Sequence, residues 1–145
     1  MRFRELIRKL KVLEAHGRQD PEIRGLAYDS REIRPGYLFL AMAGQHTDGH
    51  RYVDEALERG ACAVLHGLPL ASYRRGIPFA RVQDPRRALS PLADLFYGRP
   101  SHKLEVIGVT GTDGKSTTVF LIHQLLEALG QASGFLSTVH FRTAR

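Results

Sequence analysis

The most constraining stretch of this chain is VIGVTGTDGKSTTVFLIHQLLEALG, Val106 to Gly130. An apolar, strand-like run from Glu105 to Thr110 meets a glycine-rich turn, Gly111-Thr-Asp-Gly-Lys-Ser116. A helical pattern then runs from Thr117 to Leu129. Strand, glycine loop and helix in this order make a phosphate-binding corner. Gly111 and Gly114 let the backbone take positive φ and let phosphate oxygens come close. Successive N–H groups and the helix N-terminus then point at the anion. Lys115 reaches the β- and γ-phosphates as a cation. The Ser116 hydroxyl ligates Mg²⁺, and Thr117 adds an oxygen or caps the helix. The loop is a shortened variant of the full Walker pattern: the position six residues before Lys115 is Val109, and Gly108 stands one residue too early. The rival reading is a plain strand–turn–helix corner with a polar helix start.

The chain has 145 residues, enough for one ordinary domain or for a small domain plus the start of another. With 43% hydrophobic and 25% charged residues it has the composition of a globular protein. The longest near-apolar run, YLFLAMAG (Tyr37 to Gly44), is far too short to cross a bilayer. The N-terminus, MRFRELIRKLKVLEA, interleaves charges with apolar residues, unlike a secretory signal. Lone Cys62, in the apolar run ACAVL, reads as a buried inert thiol. A cytoplasmic protein without membrane contact is expected. The net charge is +6, but the bases are scattered and no aromatic residues interleave with them. That favours a polyanionic small molecule, such as a nucleotide, over nucleic acid.

Along the chain, Phe3, Leu6, Ile7, Leu10 and Leu13 follow helical spacing and predict a helix over 2–16. Short strands are predicted over 22–28, 37–43, 61–65 and 78–82, with a helix over 51–59. Asp84-Pro85 predicts an N-cap and first helical turn, with a helix to Tyr97 kinked at Pro91. Gly98-Arg99-Pro100-Ser101 is the predicted domain boundary, giving domains 1–99 and 100–145. Beyond it come a strand (104–110), the glycine loop, a helix (115–129) and a strand (133–139). Alternating strands and helices predict parallel α/β sheets. His46, His50 and His66 lack metal-ligand spacing and read as solvated loop residues; His123 and His140 lack nearby partners. Asp29-Ser30 alone reads as a turn closing a strand.

Two motifs together go further. VIGVTGTDGKSTT resembles the ATP loop of the Mur ligase family, which usually reads TGTNGKTT. LAYDSREIRPGYLFLAMAGQHTDGHRYVDEALERGACAVL, residues 26–65, is similar to the N-terminal domain of that family's tripeptide-forming branch, with its DSR…PG-x-LF-x-A…G…DG pattern. The resemblance spans roughly residues 22–141. It implies a small N-terminal α/β domain that binds a UDP-linked substrate. The first β-loop-α-β unit of a P-loop-type parallel-sheet ATPase domain would follow. It also implies that the chain is an N-terminal fragment, inactive alone, because the family's later substrate threonines, carbamylated lysine and metal ligands have no counterpart here.

Carried over by position, Tyr28 and Ser30 match residues that hold the uridine end of the substrate. Gln45, His46 and Thr47 match a UDP-binding loop that usually reads His-Gln-Ala, in altered order here. Gly111, Thr112, Asp113, Gly114, Lys115, Ser116 and Thr117 match the ATP loop, with Asp113 replacing the usual Asn and Lys115 as the catalytic cation. Arg31 and Arg34 either meet the UDP diphosphate or merely solvate their turn.

The implied activity is ATP- and Mg²⁺-dependent amide-bond formation through an acyl phosphate. It would join a diamino acid to UDP-N-acetylmuramoyl-L-alanyl-D-glutamate in peptidoglycan synthesis. A monomer that binds no nucleic acid is expected. Three rivals stand beside it: the D-Ala-D-Ala-adding branch of the family, from which Thr112 leans away, a non-catalytic UDP-sugar-binding module, and a generic P-loop NTPase.

Overall fold

The computed structural model describes residues 1–44 and 47–143. They form two compact units, Met1–Lys103 and Leu104–Arg145. The first is built on a five-stranded sheet of order β1-β5-β4-β3-β2, from β1 (Val12–His16), β2 (Gly25–Ala27), β3 (Tyr37–Ala41), β4 (Ala61–His66) and β5 (Phe79–Val82). β2, β3, β4 and β5 run parallel, and β1 closes one edge antiparallel to β5.

The apolar run of β3 explains its central place. A strand covered on both faces needs no polar alternation. Leu38 and Leu40 point into one core with Phe3 and Leu6 of α1 (Phe3–Ile7) and Ala88 and Leu92 of α3 (Pro85–Phe96). Phe39 and Ala41 point into the other with Val53, Ala56 and Leu57 of α2 (Val53–Glu58). All four β3 residues are fully buried. The register shifts where Tyr37 pairs with Ala61 but Leu38 with Ala63, so Cys62 is one extra residue in β4. This bulge sends Ala61 to one core and Ala63 to the other. Cys62 is half-buried, and burial pushes its thiol pKa up, as an inert cysteine requires.

The 2–16 helix is corrected. Only Phe3–Ile7 is helical, and Val12–His16 is strand β1. Phe3 and Leu6 keep the helical stripe, but Leu13 is 46% exposed, at an irregularity in the β1–β5 register. The open edge of β5 supplies backbone partners to this segment, which outweighs a local pattern worth a few tenths of a kcal/mol per residue. α3 begins as predicted: the Asp84 carboxylate accepts the Arg86 and Arg87 N–H groups at 2.9 and 3.1 Å, and Pro85 follows. It runs through Pro91 unbroken. Pro91 and Arg87 are both exposed, so the carbonyl left without its N–H partner can meet water.

In the second unit α4 (Lys115–Ala128) ends at Gly130, whose φ of +74° and N–H bond to Glu127 O, beside Gln131 N–H to Leu126 O, close a Schellman turn. The strand predicted over 104–110 is not formed. A strand exists only through inter-strand bonds, and no strand pairs with this run among the described residues. Val106 is 74% exposed. In place of a 133–139 strand the chain makes a short antiparallel hairpin, β6 (Phe135–Leu136) and β7 (Phe141–Arg142).

Three histidine readings are corrected by burial. His66 is fully buried, its Nδ1–H donating to Leu68 O at 2.7 Å, with Tyr73 and Phe79 around the ring. His50 is nearly buried, held between Asp48 and the N–H groups of Gly67 and Leu68. His123 is buried against Ser133 at 2.7 Å. Periodicity carries no trace of these contacts, which come from residues distant in sequence or from loop closure.

Burial also pushes the His66 pKa below its ordinary 6.5. The unfolded chain therefore takes up this proton first as pH falls. The stability held by neutral His66 is complete above 6.5 and is lost as pH drops from 6.5 toward the lower folded value. Thermal unfolding between pH 7.5 and 5.5 is expected to show a falling midpoint, and His66→Gln to flatten that slope. An unchanged slope in the variant would refute the assignment.

Candidate functional site

The first unit carries a cavity of about 840 Å³ at the C-terminal ends of β2 and β3. This is where parallel α/β sheets present ligand sites, because the loops leaving adjacent strands part there. β2 ends into Tyr28-Asp29-Ser30, and β3 into a stem that Met42 and Gly44 form with Gly49 and Thr47. Gly44 N–H bonds Thr47 O at 2.8 Å, and Gly49 N–H bonds Met42 O at 2.9 Å. Tyr28, Ser30 and Thr47 all line the cavity. Three residues drawn from two sequence segments thus meet at one place. Tyr28 is 61% exposed, whereas Ser30 is buried. Gln45 and His46 lie outside the described residues.

Asp29 and Ser30 do form the turn that local chemistry suggested. The Asp29 carboxylate accepts the Arg31 backbone N–H at 2.9 Å and caps a short 3-10 turn, Ser30–Glu32. The Arg31 guanidinium also grips both Asp29 oxygens, at 2.6 to 3.1 Å. Those side-chain bonds hold the Asp29 carboxyl down at about 2. The residues of this turn also form part of the cavity wall. Arg34 is exposed and is not part of the wall.

Sequence reasoning missed several wall residues, among them Tyr52, Arg59 and Arg86. Arg86 sits in the Asp-Pro-Arg-Arg cap of α3 and reaches Ala43 O with Nη2 at 2.9 Å. The one signal available was a cation two residues after a helix-capping aspartate.

The glycine loop belongs to the second unit. Gly111 and Gly114 take φ of +152° and +74°, the range that favours glycine. Gly114 is the N-cap of α4 and brings no capping side chain, so the first-turn N–H groups stay available to an external acceptor. A Cβ at Gly114 or Gly108 would meet nothing within 4 Å, so the loop is open. The Lys115 ammonium folds back over it, donating to Gly111 O at 2.6 Å and Thr112 O at 3.0 Å. Asp113 is exposed and makes no ion pair among the described residues. Open amides, positive-φ glycines and a nearby ammonium fit the phosphates of a nucleotide. No three His, Cys, Asp or Glu side chains gather as a metal site among the described residues. A separate cavity of about 250 Å³, between the end of α4 and the hairpin, is lined by Glu127, Ser133 and Arg142 and excludes the glycine loop.

Residues 22–97 match the profile of the Mur ligase family, catalytic domain. That is more than half of the chain. This chain belongs to the Mur ligase family. The family's mixed α/β fold with a parallel sheet is the fold described above. Among its relatives, the UDP-N-acetylmuramyl-tripeptide synthetase of Roseiflexus sp. (strain RS-1) is 47% identical over 98% of the chain. The UDP-N-acetylmuramoyl-L-alanyl-D-glutamate–2,6-diaminopimelate ligase of Bacteroides fragilis is 40% identical over 96% of it. The chain spans only 28% and 29% of these relatives' lengths.

Two solved Mur ligases share the fold. MurF from Acinetobacter baumannii aligns over 87% of this chain and 27% of its own, at 28% identity and TM-score 0.69. MurF ligase from Thermotoga maritima, in complex with ADP, aligns over 72% of this chain and 23% of its own, at 33% identity and TM-score 0.57. No helix among the described residues is long and apolar enough to cross a membrane.

Proposed function

We propose that this chain is the substrate-nucleotide-binding domain and phosphate loop of an ATP-dependent amide ligase. The ligase adds a diamino acid to UDP-N-acetylmuramoyl-L-alanyl-D-glutamate in peptidoglycan precursor synthesis. The observation that carries this reading is the convergence of Tyr28, Ser30 and Thr47 on one cavity at the strand ends. The relatives' names support the choice of substrate. Residues 1–99 would hold the UDP-linked substrate, and residues from 100 onward would open the ATP-binding domain.

In this reading the Tyr28 ring stacks on the uracil, while Ser30 and Thr47 supply hydroxyls to its polar edge. At the loop, Gly111, Thr112, Asp113 and Gly114 shape the cradle. The N–H groups of Lys115, Ser116 and Thr117 face the phosphates. Lys115 swings from the loop carbonyls onto phosphate oxygens, where its charge offsets the charge that builds during transfer. Ser116 would give one hydroxyl oxygen to Mg²⁺, which would offset phosphate charge. ATP, when bound, supplies the phosphoryl group that activates the substrate carboxylate.

Calorimetric titration tests both halves. The chain is expected to bind UDP-N-acetylmuramoyl-L-alanyl-D-glutamate with one-to-one stoichiometry. Tyr28→Ala should weaken that binding about tenfold, the value of one aromatic–base stack of roughly 1–2 kcal/mol. Lys115→Ala should weaken ADP binding and leave the UDP-sugar alone. No heat with either ligand, or a Tyr28→Ala chain that binds like the parent, would overturn the reading.

A further inference from the structure

A cation in the first-unit cavity would favour the diphosphate of a UDP-linked ligand, and three arginines line it: Arg31, Arg59 and Arg86. Two are already paired by their own neighbours. Arg31 Nη2 lies 2.6 Å from Asp29 Oδ2, and Arg59 Nε lies 2.9 Å from Glu55 Oε1. Both carboxylates also line the cavity, so these four charges cancel. Arg86 differs. Among the described residues its guanidinium meets no carboxylate, and its one hydrogen bond runs from Nη2 to the Ala43 carbonyl at 2.9 Å. The nearby Asp84 is committed elsewhere, accepting two helix N–H groups and lying 3.5 Å from Arg87 Nε. The cavity wall thus carries one net positive charge, with most of that guanidinium's five N–H donors unused.

We infer that Arg86 is the phosphate-binding residue of this cavity. Its bond to Ala43 aims the guanidinium along the loop stem that Thr47 shares, and its free edge takes diphosphate oxygens. A planar fork suits that task, since it can hold two oxygens at once. The inference rests on the uridine-nucleotide reading above and adds the residue that meets the charged part of the ligand.

Titrations with UDP, uridine and inorganic pyrophosphate separate the possibilities. The parent chain is expected to bind UDP more tightly than uridine. Arg86→Gln should lower UDP affinity roughly tenfold to a hundredfold, the span of a charge-assisted hydrogen bond, and leave uridine affinity unchanged. Arg86→Lys, which keeps the charge but not the fork, should fall between. If Arg86→Gln weakens UDP and uridine alike, the arginine only braces Ala43 and the inference fails; it also fails if neither changes. If the parent binds neither UDP nor uridine, the nucleotide reading itself is lost. Pyrophosphate then decides alone: binding that Arg86→Gln abolishes supports an anion site at Arg86, and no binding overturns it.

Discussion

Replacing Phe39 by alanine is expected to destabilise the first unit by about 3–5 kcal/mol, the usual cost of emptying a large aromatic from a packed core. Phe39 is fully buried in the centre of β3 and packs in one core with Ile33, Val53, Leu57, Val64 and Phe79. Those neighbours come from β4, β5, α2 and the turn after β2, so no single element can close over the cavity left behind. A domain of this size holds roughly 5–15 kcal/mol in all, so the variant should sit near the edge of unfolding. Urea denaturation followed by circular dichroism measures the change. Leu13→Ala supplies the contrast: at 46% exposed it should cost well under 1 kcal/mol. A Phe39→Ala loss no larger than that of Leu13→Ala would mean that β3 is not the sheet's packed centre.

Backbone hydrogen exchange is expected to separate two apolar runs of similar composition by several orders of magnitude. Amides of Leu38–Ala41 sit in a paired central strand between two cores, so they should open only with the whole unit. Amides of Glu105–Val109 find no strand partner among the described residues and should exchange at nearly the rate of an unstructured chain. Each 1.4 kcal/mol of opening energy is a factor of ten in protection, so even a modest stability of about 5 kcal/mol gives a contrast above a thousandfold. Mass spectrometry of peptic fragments resolves both segments. Equal protection of the two would show that residues 104–110 are paired.

These two runs also show where sequence reading works and where it stops. YLFLA and EVIGVT both look like buried strands, and one is a strand while the other is not. The residue pattern reports what a segment could bury, and the pairing that makes it a strand lies elsewhere in the chain. The same limit explains β1, whose leucine spacing reads as a helix until the edge of β5 is available to pair with it. Of the cavity residues, Tyr28, Ser30 and Thr47 were legible through the motifs that carry them. Arg86 was not, because its meaning depends on Arg31 and Arg59 being neutralised by Asp29 and Glu55. The buried histidines were misread for a related reason: His66 is polar by type, and tertiary neighbours, among them Tyr73, Phe79 and the strands on either side, remove it from water.

What this chain's sequence decided unaided is local and steric. Glycines at 111 and 114 permit the left-handed backbone of the loop, and Asp84-Pro85 starts α3. Each follows from forces acting within a few residues. Tertiary structure decided the rest: which strands neighbour one another, that Val12–His16 becomes an edge strand, and that one arginine at the cavity keeps its charge unpaired among the described residues. Those outcomes depend on hydrogen bonds, burial and ion pairs between segments far apart in sequence. Such energies exist only once the chain has brought the segments together.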